Sequence, residues 1–106
     1  MANQLLNAGM NLLVHDVRQE AAQSLVDDGA VWVSSPKEVA RLSEIVCTCL
    51  PGPLEMKDVV FGENGIADNL SDGSLYIDYT TNSSALVKRV HGVLADRGVD
   101  MLDAPV

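Results

Sequence analysis

The sequence predicts an α/β chain built on a mainly parallel sheet. Short apolar runs alternate with amphipathic stretches of helical period along the whole length. The connections between them leave room only for crossovers, so successive strands run parallel. The central run "EIVCTCLP" is almost wholly apolar, as expected of a strand covered by helices on both faces.

Each element follows from local pattern. Met1 to Gly9 reads as the closing turns of a helix, with Leu5 and Leu6 apolar and Gly9 placed where a left-handed residue ends a helix. "MNLLVHDV" is a short buried strand. "RQEAAQSLVDDG" puts Ala21, Ala22, Leu25 and Val26 at helical spacing, with Gly29 as the stop. "AVWV" is a second strand. In "SSPKEVARLS", Ser35 is a helix N-cap, Pro36 takes the first helical position and Glu38 completes a capping box. "EIVCTCLP" is the third strand, and "GPLEMKDVVFGENGIADNL" is helical until it breaks near Gly62 and Gly65. After the Asp72-Gly73 turn, "SLYIDYT" is the fourth strand. "NSSALVKRVHGVLADRG" is a helix with Leu86, Val90, Val93 and Leu94 on one face, closed by Gly98, and "VDMLDAPV" begins a fifth strand.

Composition narrows the function classes. At 106 residues the chain is one domain or part of one, and 47% hydrophobic residues exclude a disordered polymer. The net charge of −8, with no basic stripe, argues against nucleic acid as a partner. No apolar run is long enough to cross a bilayer as a helix, and no secretory signal is visible. Cys47 and Cys49 are two residues apart on one strand, so both thiols point to one face. They lack the second Cys/His pair of a zinc site and read as reduced core residues; no metal site is expected.

Four residues carry candidate chemistry. Asp16 ends the first strand, where it serves either as a turn residue or as an acceptor for ribose hydroxyls in a dinucleotide fold. Leu50 and Pro51 end the third strand, on the side where ligands bind an open α/β sheet; as a plain strand terminator Pro51 would look the same. "DYTTNSS" closes the fourth strand with hydroxyls and an amide. Thr80 and Thr81 cannot both cap the next helix, which leaves a hydroxyl for a ligand.

The ordered set "MAxxLxxAG", a strand ending in Asp, "LPGP", "GENGI", "IDYTT" and "DAPV" resembles the β-hydroxyacid dehydrogenase family, which includes 3-hydroxyisobutyrate dehydrogenase, over Met1 to Val106. The resemblance implies a Rossmann-like, doubly wound domain spanning residues 1–106 and lacking its first strand and glycine-rich loop. In the family Met1-Ala2 would fall inside the first helix, and the usual distance of ~20 residues from the loop to its acidic partner would land near Asp16. The same resemblance implies that Asp16 selects the adenosine ribose, that Leu50 and Pro51 line the nicotinamide side, and that Thr81 hydrogen-bonds the cofactor. A carboxylate at Asp16 repels a 2′-phosphate and favours NAD. Arg18, one place late for the family's Asn-Arg pattern, keeps NADP as the alternative.

Two departures from the family pattern are Glu55, where some members carry Asn, and Ser84, where Pro is frequent. No catalytic residue is expected within the chain. Lys37, Lys57 and Lys88 fall on predicted helices as surface residues, and the family's catalytic lysine lies downstream of Val106, in a helical domain. The implied activity is hydride transfer between a small 3-hydroxy acid and nicotinamide, in a cytoplasmic or mitochondrial homo-oligomer. A non-catalytic dinucleotide-fold module and an inactive gene fragment are the rival readings.

Overall fold

The computed structural model describes residues 2–104. Met1 of the Met1-Ala2 pair and the Pro105-Val106 end of "DAPV" lie outside the described residues. The chain runs α1 (Ala2–Asn7), β1 (Leu13–Val14), α2 (Gln23–Asp27), β2 (Val31–Trp32), α3 (Pro36–Leu42), β3 (Ile45–Thr48), α4 (Pro53–Phe61), β4 (Leu75–Asp78), α5 (Ser84–Ala95) and β5 (Asp100–Asp103), with a 3-10 turn at Gln19–Ala22. Every predicted element is present, and every paired strand is parallel.

Three helices end alike. The amide of Met10 reaches back to the Leu5 carbonyl after α1, Ala30 to Leu25 after α2, and Val99 to Leu94 after α5. A glycine with positive φ precedes each of those donors. That geometry satisfies carbonyls that a helix end otherwise leaves unpaired, and it explains why Gly9, Gly29 and Gly98 are legible stops.

The strands form two sheets. β1 pairs with β2, and β3-β4-β5 form a second sheet with β4 in the middle. Among the described residues β1 and β3 are not paired with each other, so each has one backbone edge outside either ladder. This order matches a doubly wound sheet interrupted between β1 and β3.

The hydrophobic core belongs to the larger sheet. Val46 of β3, Tyr76 of β4 and Met101 of β5 pack with Met56 and Val60 of α4, Ile66, and Val90 and Leu94 of α5. Of the predicted face of α5, Val90 and Leu94 are fully buried and Leu86 packs against the core, whereas Val93 is half-buried and outside the core cluster. No residue of β1, α2 or β2 joins this cluster among the described residues. That explains two differences from the sequence reading. The strands predicted over 10–17 and 30–33 shorten to two residues each, paired only with each other and with no side chain in the core cluster. The helix predicted over 18–29 divides into a 3-10 turn and a five-residue α2, because α2 buries no side chain that could hold a longer helix.

β3 also differs from expectation. Ile45 is 53% exposed, Cys47 is half-buried and Cys49 is exposed. The two cysteines therefore lie on an open face and not in the core; burial still pushes the Cys47 thiol above its ordinary pKa. The capping box on α3 is half formed. The Ser35 hydroxyl accepts the Glu38 amide at 3.3 Å, but the Glu38 carboxylate turns to Arg41 at 2.8 Å.

Candidate cofactor site

β3 and β4 place Thr48 opposite Asp78, and the site grows from that pair. The Thr48 hydroxyl donates to Asp78 Oδ1 at 2.8 Å and lies 2.6 Å from the Tyr76 hydroxyl. Thr48 has one proton, already given to Asp78, so Tyr76 is the donor in the second bond. Burial, and secondarily the nearby Asp78 charge, push the Tyr76 pKa up, and the hydroxyl keeps its proton.

Asp78 is fully buried and is held by donors from β3 and from the loop after β4. Its Oδ1 also accepts the Thr80 amide at 3.0 Å, and its Oδ2 accepts Asn82 Nδ2 at 2.6 Å. Reversing the Asn82 amide would set two acceptors face to face, so its orientation is fixed by Asp78. That orientation leaves Asn82 Oδ1 buried with no hydrogen-bond partner among the described residues. The Asp78 backbone carbonyl accepts the Ala104 amide at 2.9 Å, which ties in the end of β5 as well.

Leu50 and Pro51 follow β3 directly. Leu50 is half-buried against the core and gives its amide to Thr80 Oγ1 at 2.9 Å; Pro51 is exposed. Gly52 is the N-cap of α4, with Pro53 at the first helical position. Thr81 is exposed at the end of β4, beside the fully buried Thr80. The predicted trio of Leu50, Pro51 and Thr81 is thus brought to the carboxyl ends of adjacent strands.

Asp16 lies apart from them, past the end of β1 in the other sheet. It is exposed, and its Oδ1 accepts the Arg18 amide at 3.0 Å. The carboxylate shapes its own turn while its side chain stays accessible. The sheet interruption falls between this residue and the trio. Lys37, Lys57 and Lys88 are exposed on α3, α4 and α5, as predicted.

Some of the site was not anticipated. Neither Thr80 nor Thr81 caps α5; Ser83 does, accepting the Leu86 amide at 3.2 Å. Thr48, Asp78 and Asn82 had no assigned role. The available signal was a hydroxyl inside "IVCTC" and a carboxylate inside "LYIDY", since polar groups in buried strands must find partners. Concavities of about 430 and 490 Å³ also exist, but they lie at the amino ends of β3 and β4 and beside β5 and α5. Asp16, Leu50, Pro51 and Thr81 line neither.

Comparison with known proteins decides the family. The model of the NAD binding domain of 6-phosphogluconate dehydrogenase matches residues 1–106. The chain belongs to that NAD-binding domain family. Within it, the chain is 37% identical to 3-sulfolactaldehyde reductase of Escherichia coli (strain K12), over all of this chain and 36% of that protein. It is 34% identical to mitochondrial 3-hydroxyisobutyrate dehydrogenase of Homo sapiens, over all of this chain and 32% of that protein. The chain therefore spans about a third of the length of these curated relatives.

Among solved structures, 3-hydroxyisobutyrate dehydrogenase from Salmonella typhimurium superposes with a TM-score of 0.90 at 27% identity, covering 99% of this chain and 36% of that one. Psf3 in complex with NADP+ and 2-OPP gives 0.92 at 25% identity, covering 99% and 37%. The two sheets therefore hold the relative placement of an NAD(P)-binding domain. The residues present fit such a cofactor at its two ends: an exposed carboxylate at Asp16 suits ribose hydroxyls, and the Thr81 hydroxyl with the adjacent Leu50–Pro51 turn suits a polar ring substituent. The sequence contains no G-x-G-x-x-G turn for the pyrophosphate.

Proposed function

We propose that this chain is the cofactor-binding part of an NAD(P)-dependent β-hydroxyacid dehydrogenase acting on a small 3-hydroxy acid. One observation carries the reading. The Leu50 to Thr80 hydrogen bond gathers Leu50, Pro51 and Thr81 at one end of the sheet in a chain of this family. The bound nicotinamide would supply the hydride chemistry, and the residues of this chain orient it. Leu50 and Pro51 form the wall of the nicotinamide side, Thr81 is a hydrogen-bonding residue, and Asp16 reads the adenosine ribose. The carboxylate at Asp16 favours NAD over NADP by repelling a 2′-phosphate.

The general acid or base is a lysine outside these residues, consistent with the exposed positions of Lys37, Lys57 and Lys88. A further parallel strand and a glycine-rich turn, placed between β1 and β3, would complete the sheet and grip the pyrophosphate. Without them the 106-residue polypeptide by itself binds cofactor weakly and is prone to aggregate through its unpaired edges. The assembled enzyme is a cytoplasmic or mitochondrial homo-oligomer; no described helix is long and apolar enough to cross a membrane.

The test is an assay of NAD and NADP reduction by the full-length polypeptide on a panel of 3-hydroxy acids. Thr81→Val should raise the KM for NAD about tenfold, the effect of one lost hydrogen bond. Unchanged kinetics would remove Thr81 from the site, and an inert panel would reject the reading.

A further inference from the structure

The backbone ladder between β3 and β4 ends where the Tyr79 amide meets the Thr48 carbonyl at 2.8 Å. Beyond it, no backbone-to-backbone hydrogen bond among the described residues joins the Leu50–Gly52 turn to the Thr80–Ser83 loop. A side chain takes over. Thr80 Oγ1 accepts the Leu50 amide at 2.9 Å, adding one rung past the end of the ladder.

We propose that Thr80 is a positioning residue, which fixes the Leu50–Pro51 turn at the carboxyl end of β3 while Asp78 braces Thr80 from below. The inference rests on the cofactor reading above. Thr80 is only 1% exposed, so its hydroxyl cannot meet a ligand directly; its influence passes through Leu50. It is not engaged in capping α5, which Ser83 does. Its own backbone is held by Asp78 Oδ1, that carboxylate is held in turn by the Thr48 hydroxyl, and Thr48 by Tyr76. A continuous polar path thus runs from the core of β4 to the turn after β3.

The composition of the turn gives the contact its weight. Leu50-Pro51-Gly52-Pro53 contains two prolines, which have no amide proton, so Leu50 and Gly52 supply its only backbone donors. Thr80 occupies the first of these. The turn therefore exposes the Pro51 ring, and a lost Thr80 bond would leave the Leu50 donor unpaired beside it.

The experiment compares Thr80→Val, which keeps shape and removes the acceptor, with Thr80→Ser, which keeps the hydroxyl, in the full-length polypeptide. Three readouts are amide hydrogen exchange at Leu50, thermal stability without cofactor, and KM for NAD against kcat. Thr80→Val should speed Leu50 exchange and raise the KM for NAD, each about tenfold, with kcat changed far less. Thr80→Ser should return both to within about twofold of wild type. Slow Leu50 exchange in Thr80→Val overturns the proposal. So does an equal loss of stability in both variants with no change in KM for NAD, which would mark Thr80 as packing only. Wild-type protein that binds no NAD sinks the cofactor reading and this inference together, whereas normal wild-type binding with a Val-insensitive KM sinks this inference alone.

Discussion

Thr48 of β3 and Asp78 of β4 stand opposite each other in register, and the Thr48 hydroxyl donates to the buried Asp78 carboxylate at 2.8 Å. Most of the contacts that shape the candidate site pass through this pair. It links the strand ends to Thr80, Asn82 and, through the Asp78 carbonyl, to Ala104.

Thr48→Val should therefore be costly although it preserves volume. It strips one donor from a fully buried carboxylate and leaves the Tyr76 hydroxyl without its acceptor. A loss of about 1–3 kcal/mol is expected. Urea denaturation at neutral pH measures it, and Thr48→Ser should recover most of the difference. Equal stability of Thr48→Val and wild type would mean the pair contributes nothing.

Tyr76 gives a pH dependence with a definite sign. Its folded pKa is raised, mainly by burial, above the ordinary tyrosine value of about 10. Below that value both states keep the proton and the native contribution is intact. As pH rises past about 10, the unfolded chain releases its proton and the folded chain does not, so stability falls. Cys47, raised by burial, adds a loss of the same sign from about pH 8.5. Denaturant midpoints collected between about pH 8 and pH 11 should decline, and Tyr76→Phe should flatten the upper part of that decline.

Two glycines should respond oppositely to the same substitution. Gly98 ends α5 with φ +74, and a Cβ there would fall 2.0 Å from Asp72 Oδ1. Gly92 lies inside α5 with nothing within 4 Å of a built Cβ. Gly98→Ala should destabilise by more than about 1 kcal/mol, whereas Gly92→Ala should stabilise by about 0.5–1 kcal/mol through helix propensity. Thermal denaturation of the two variants checks both signs, and a stabilised Gly98→Ala would refute the strain argument.

The core is confined to the β3-β4-β5 sheet, which sets a gradient of local stability. Backbone amides of Val31 and Val33, bonded to Leu12 and Val14, should exchange with solvent much faster than those of β4, which is paired on both sides. Met56→Ala empties a fully buried position and should cost about 2–5 kcal/mol, while Leu54→Ala, at a residue 80% exposed, should stay within about 0.5 kcal/mol. Comparable exchange in both sheets would show one cooperative unit.

Sequence by itself determined the element order, the parallel α/β class and the helix stops, because these depend on local quantities. Apolar periodicity, the Ser35 and Pro36 start signals and the glycines after α1, α2 and α5 act over a few residues, and each kept its role in the fold. It also set Leu50, Pro51 and Thr81 at strand ends, since ligand-binding loops follow strands in this class. Only the tertiary structure decided that Thr80 and not a backbone group holds Leu50, that Asp78 is the buried hub, and that the face of Cys47 and Cys49 is open. The Leu50 to Thr80 and Thr48 to Asp78 contacts each span 30 residues. They exist only once β3 and β4 are paired in one register, a condition that no local pattern encodes. The exposure of the two thiols likewise depends on what covers β3, which is a property of neighbouring strands and not of "VCTC".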